Sequence, residues 1–226
     1  MNVNSPLEFE DMDEAKFRPK FSQEVKRLLK ALELTKIADR MNFDGESQDA
    51  LQSKIQEVFI PQAVDVDDLQ GLGEVISHII MRGRFAFSLS QRVTFATDEE
   101  CYNIIISDNL LGDGINYSDF INAMKGVFES DKIDKVCFDI KNNMHVLAND
   151  GVRLVGASAD VLLKAYLVDA NRNYKSEQDL FNAYNLPEGE EAALIYYIDG
   201  VIDRELQERG LVRLYQDVEL PLIEVL

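Results

Sequence analysis

The stretch NYSDFINAMKGVFESD, Asn116 to Asp131, carries a clear helical period, with Phe120, Met124, Val127 and Phe128 falling on one face. VDVDDLQGLGEVISHIIMRG, from Val64, predicts a short helix with Asp65 or Asp67 as its cap. GRFAFSLS, from Gly83, is a short apolar run and predicts a strand. VTFATDEECYNIIIS, from Val93, supplies one or two more, with Tyr102, Ile104 and Ile106 alternating. KVCFDI and VRLVGASAD predict strands. NNMHVLANDG predicts a helix stopped by Gly151, ADVLLKAYLVDAN and EQDLFNAY predict helices, and a long helix runs from Glu190 toward Arg209. Near the start, Val25, Leu28, Leu29, Leu32 and Ile37 form a helical stripe with Ser22 as N-cap. Strands first, then strands alternating with helices, predict an α/β fold: a mixed central sheet flanked by helices, with an N-terminal helical arm.

One strand end raises a chemical question. Ser88 and Ser90 follow Phe85-Ala86-Phe87, and alternate positions on a strand point the same way. Several α/β folds place reactive side chains at such ends. No serine or cysteine here sits in the sequence context of an activated nucleophile.

Other candidate signals fail on spacing. GDGINYSDF, from Gly112, resembles half of a calcium loop. Taking Gly114 as the turn glycine puts Phe120 where a bidentate Glu is needed; taking Asp119 as that acid puts Asp113 at the glycine position. A loop leading into a capped helix is the expectation. GLGE, Gly71 to Glu74, lacks the third glycine and the preceding strand of a dinucleotide fingerprint. His78 and His145 are lone histidines on helical patterns and read as packed or surface groups.

Charge narrows the function. The 226 residues hold 41 Asp plus Glu against 23 Lys plus Arg, a net charge of −18. Phosphate contacts dominate nucleic-acid affinity, so this excess opposes unaided DNA binding. Hydrophobic residues make up 46%, enough for a core, with no apolar run of membrane-spanning length. Cys101 and Cys137 lie far apart without a CxxC pair, as expected of two reduced thiols in a cytosolic protein. The acidic start lacks an apolar signal segment, so secretion is not expected.

Val136 to Arg172, VCFDIKNNMHVLANDGVRLVGASADVLLKAYLVDANR, resembles the 3′–5′ exonuclease domain of family-A DNA polymerases such as bacterial DNA polymerase I. Lys141, VLAND with Gly151, Asp160, Leu163, Tyr166 and Leu167 carry the likeness. LYQDVELPLIEVL, from Leu214, is similar to the entry into the polymerase domain, and the first 43 residues to the end of the 5′-nuclease domain. The resemblance implies a ribonuclease H-like 3′–5′ exonuclease fold. It also implies a division into residues 1–43 (the end of the 5′-nuclease domain), a linker 44–59, the exonuclease-like domain 60–213, and the start of the polymerase domain 214–226.

Active members of that class cleave a phosphodiester with two divalent metals held by about four carboxylates. The first-strand Asp-x-Glu pair maps onto Ser88 and Ser90, and the second-motif Asp onto Asn143, with Asn142 in place of a tyrosine. The third motif has no Tyr-x-x-x-Asp; Tyr196, Tyr197 and Asp199 lie in its region. Asp139 reads as a helix cap or surface acid, and Asp160 as a structural acid at a helix start. The resemblance therefore implies a degenerate, inactive nuclease with no catalytic residue, metal or cofactor. It would serve a structural and DNA-contacting role in replication or repair, in the cytoplasm at the bacterial nucleoid. Its partners would be DNA, mainly through the adjoining polymerase domain, and the flanking polymerase and 5′-nuclease domains, with no membrane. Two alternatives stand: an active nuclease using Mg²⁺ or Mn²⁺ that recruits Asp139, Asp199 or Glu191, and an interaction module without DNA contact.

Overall fold

The computed structural model describes residues 21–31, 60–107 and 114–223. The chain divides into two units, residues 1–58 and 59–226. In the first, α1 spans Gln23–Ala31. Val25 and Leu29 are half-buried and Leu28 is exposed, while Leu32, Ile37 and the whole linker expected at 44–59 lie outside the described residues.

The second unit is built on a six-stranded sheet. Its strands are β1 (Ala63–Val66), β2 (Arg84–Leu89), β3 (Val93–Ala96), β4 (Cys101–Ile104), β7 (Asp134–Cys137) and β8 (Ala157–Asp160), in the order β1-β4-β3-β2-β7-β8. β2, β3 and β4 are antiparallel neighbours, whereas β7 and β8 run parallel to β2 and β1 parallel to β4. A separate pair joins β5 (Ile106–Ser107) to β6 (Ile115–Asn116). The mixed sheet flanked by helices is thus the architecture expected.

Alternation along the strands sorts two cores. Phe85, Phe87 and Phe95 face one side, where α2 (Leu69–Arg82), α3 (Tyr117–Phe128) and α4 (Ile140–Asn149) contribute Leu72, Ile79, Phe120, Met124 and Leu147. Phe87 and Phe128 meet edge to face with ring centroids 5.4 Å apart, an arrangement the aromatic quadrupole favours. Ala86, Val136 and Ala159 face the other side, under α5 (Val161–Val168), α6 (Glu177–Ala183) and α7 (Glu191–Glu208). β2 is therefore buried on both faces, which explains its unbroken apolar run.

Some boundaries differ from expectation. The cap of α2 is Asp68, whose carboxylate accepts from Gly71 N at 2.7 Å, and neither Asp65 nor Asp67. Residues 63–66 form a strand, and the helix that follows is fourteen residues long rather than short. VRLVG is irregular, and β8 begins only at Ala157. Gly114 sits at φ 121°, where an added Cβ would lie 2.8 Å from the Ile105 carbonyl, so the loop before α3 requires glycine. Asn116 caps α3 through Ser118 N at 2.9 Å, in keeping with a loop leading into a capped helix. Gly71 and Gly73 lie inside α2.

A C-terminal segment is α-helical at Val212–Leu214 and Leu220–Leu222, with a π-helical stretch, Tyr215–Glu219, between. Tyr215 is buried in the same core as α5 and α7. Both cysteines are buried free thiols, and burial pushes the Cys101 thiol up to about 12. Among the described residues no helix is long and apolar enough to cross a membrane.

Candidate functional site

Small residues on the α7 side of the sheet meet this helix: Ala96 packs with Ala192 and Ala193 at its start, and Ala86 shares a core with Leu194, Ile195 and Ile198 farther along it. The N-cap residue Glu190 makes no side-chain capping bond. Thr94, buried on β3, supplies the acceptor instead: its Oγ1 takes the Ala192 N–H at 3.2 Å. This docking sets Glu191 over the end of β2, on the face toward which Ala86, Ser88 and Ser90 alternate.

Ser88 and Ser90 converge there as their spacing predicts, with 3.1 Å between their Oγ atoms. Each hydroxyl donates to the same atom, Glu191 Oε2, at 2.8 Å. Hydrogen bonds to a charged acceptor are the strong kind. Glu177, from the first turn of α6, approaches Ser88 Oγ with its own Oε1 at 3.4 Å. A single hydroxyl proton serves one acceptor, and the shorter distance assigns it to Glu191. Burial, with the negative charge of Glu191 beside it, raises the Glu177 carboxyl above its usual range; its own N–H and the Ser88 hydroxyl oppose the shift.

The serines line a cleft of about 230 Å³ with Asp139, Asn142, Asn143, Val146, Lys175 and Glu177. Asn143 thus shares the cleft with Ser88 and Ser90. Its amide is committed elsewhere: Nδ2 donates to the carbonyls of Phe138 at 2.8 Å and Asp139 at 3.0 Å. Asp139 caps α4, accepting from Asn142 N at 3.0 Å, as the sequence suggests.

Asp160 is a buried structural acid. It caps α5 through Leu163 N at 3.1 Å and also accepts from Ile140 N at 2.8 Å and Asp139 N at 3.2 Å. Burial pushes its carboxyl up to about 6, against the pull of those N–H groups. Asp199, weighed as a recruited ligand, is locked to Lys164 Nζ at 2.7 Å and Arg84 at 2.5 Å. Of the three acids considered for recruitment, Glu191 is the one bonded to both serines. No local motif marks Glu191; the contact of α7 with the sheet brings it to the serines. His78 Nδ1 pairs with the Tyr102 hydroxyl at 2.6 Å, and His145 is exposed.

Comparison with known proteins agrees with this frame. Residues 115–196 match the family model described as the DNA polymerase I, ribonuclease H-like domain. That stretch includes Asp139, Asn143, Asp160, Glu177 and Glu191; the serines lie outside it and join the site through geometry. Among solved structures, the chain is similar to the POL domain of Pol1 from M. smegmatis in complex with DNA primer-template and dNTP. The TM-score is 0.58 at 20% identity, over 71% of this chain and 30% of that one. It is also similar to Escherichia coli RNase D, an exoribonuclease involved in structured RNA processing, with a TM-score of 0.51 at 14% identity over 73% of this chain and 50% of that one. The chain thus spans half or less of the length of either. No curated protein matches it. Sheet order, helix placement and these likenesses together show a ribonuclease H-like fold, and the stretch from β6 into α7 is similar to the exonuclease-like domain of DNA polymerase I.

Proposed function

We propose that this domain has lost metal-dependent 3′–5′ hydrolysis and serves a structural role in a DNA polymerase I, bracing the polymerase domain and offering surface to DNA held mainly there. The observation that carries this reading is the bonding of the serine pair. A two-metal site needs oxygens that present lone pairs and negative charge to both cations. Here Ser88, Ser90 and Asn143 bring no charge, and the Glu191 oxygen beside the serines is already engaged by both hydroxyls. Among the described residues no group of three His, Cys, Asp or Glu could hold a metal ion. The neutral side chains of Ser88, Ser90 and Asn143 support this reading over a site for two divalent cations.

The division of the chain into a 5′-nuclease end, a linker, this domain and a polymerase entry belongs to the same proposal, as does a place at the bacterial nucleoid. At a net charge of −18 the isolated chain should bind DNA no tighter than the roughly 10⁻⁴ to 10⁻⁶ M of non-specific binders at physiological salt. The test is incubation with end-labelled single-stranded DNA and Mg²⁺ or Mn²⁺. The expected result is full-length DNA. Stepwise, metal-dependent shortening that disappears in Glu191→Gln would favour the active alternative instead, with Glu191 and Glu177 as its ligands.

A further inference from the structure

The first turn of α4 forms one wall of the serine cleft, and it is held in a strained conformation. Asp139 adopts φ 58° and ψ 78°, in the left-handed region that residues with a Cβ seldom occupy. Such a conformation persists only where its surroundings over-determine it. Here Asp160 does so, gripping the Asp139 and Ile140 N–H groups with its two carboxylate oxygens. Asp160 is itself anchored from behind. Its backbone N–H donates to the Tyr215 hydroxyl at 2.8 Å. The Tyr215 ring lies beneath Lys164, whose Nζ is 5.1 Å from the ring centroid. Leu220 and Ile223, farther along the same C-terminal segment, pack against the core beneath α4. A second cost lies at this junction: the Ser158 hydroxyl is buried without a hydrogen-bond partner.

We infer that Tyr215 and Asp160 form a conformational relay through which the C-terminal helical segment sets the position of the cleft wall. When Tyr215 holds the Asp160 backbone, the Asp160 carboxylate holds Asp139 in its left-handed state. Asn142 and Asn143 then stay at the cleft, because the Asn143 amide is bonded to the Phe138 and Asp139 carbonyls. When the Tyr215 anchor is released, Asp139 relaxes toward an ordinary conformation and the first turn of α4 withdraws with both asparagines. A shift of the C-terminal segment is therefore felt in the cleft, and by linkage a change in the cleft is felt at Tyr215. The relay stands whether or not the cleft retains chemistry.

The test is site-resolved amide hydrogen exchange on the full 226-residue chain and its Tyr215→Phe variant. The variant keeps the ring and its packing and removes only the hydroxyl. The expected result is exchange at least tenfold faster at Asp160, Asp139 and Ile140, with Phe120 and Met124 in α3 changed by less than twofold. The reciprocal measurement is the Tyr215 ring resonance in Asp160→Asn, which should shift. Faster exchange at Asp160 alone would reduce Tyr215 to a cap on one amide and overturn the relay. Equal acceleration in α3 would mean general destabilisation and overturn it too.

Discussion

Replacing Ser88 by Asp tests the contact on which the site rests. The Ser88 hydroxyl donates to Glu191 at 2.8 Å and lies 3.4 Å from Glu177. Aspartate removes that donor, a loss of about 1.5–3 kcal/mol for a hydrogen bond to a charged group. It also sets a second negative charge about 3 Å from Glu191. At an effective dielectric constant of about 20, this repulsion is worth roughly 5 kcal/mol. The protein can avoid the full repulsion by keeping one carboxyl protonated. Holding a proton at pH 7 on a group that ionises near 3.9 when unfolded costs about 4 kcal/mol, and at pH 5 about 1.5 kcal/mol. The sign follows from proton binding. A folded pKa raised above the unfolded value means the folded variant binds the extra proton, so the penalty is absent below about pH 4 and grows as pH rises toward the folded pKa. For a domain of this size these energies correspond to a melting point roughly 10 °C below the parent at pH 7 and roughly 4 °C below at pH 5. Thermal melts followed by circular dichroism at both pH values measure the gap. Equal melting of variant and parent at both, or a gap that does not narrow on acidification, would show that Ser88 does not face Glu191, and the site as described would be wrong.

Asn143→Asp should destabilise by about 2 kcal/mol at neutral pH, because a carboxylate replaces a donor against two carbonyls; urea denaturation at pH 5 and 7.5 should show the loss growing with pH. Asp160, whose carboxyl is raised to about 6, should make the wild type lose stability as pH rises from about 4 to about 6, by something near 3 kcal/mol, and Asp160→Asn should flatten the denaturation profile across that window. A wild-type profile equally flat there would show that the Asp160 carboxyl is not raised by burial.

Much of the frame is readable before folding. The α3 period placed Phe120, Met124, Val127 and Phe128 in the core, and all four are buried. The alternation of Ser88 and Ser90 placed both hydroxyls on one side, the cap preference of Asp placed Asp139 at a helix start, and the family likeness placed Asp160 at another. What sequence left open depends on contacts between distant segments. Glu191 reaches the serines because Ala96 lets the start of α7 approach and Thr94 caps it from 98 positions away. The direction of the Asn143 amide depends on the carbonyls left exposed by the left-handed turn at Asp139. Asp65, Asp67 and Asp68 offer similar capping chemistry, and the entry of β1 into the sheet beside β4 selects Asp68. β1 itself is four residues long and acquires its partner only when β4 is in place.

The proposed loss of a metal pair is tested most directly by counting bound Mn²⁺. Electron paramagnetic resonance reports free Mn²⁺ as it is titrated into the wild type and into Glu191→Gln. With 41 acids on the chain, weak binding at the surface is expected from both proteins. The expected titration curves superimpose, with no tight site that depends on Glu191. One or two Mn²⁺ ions held tightly by the wild type and released in Glu191→Gln would contradict it, and would make the serine cleft a working metal centre.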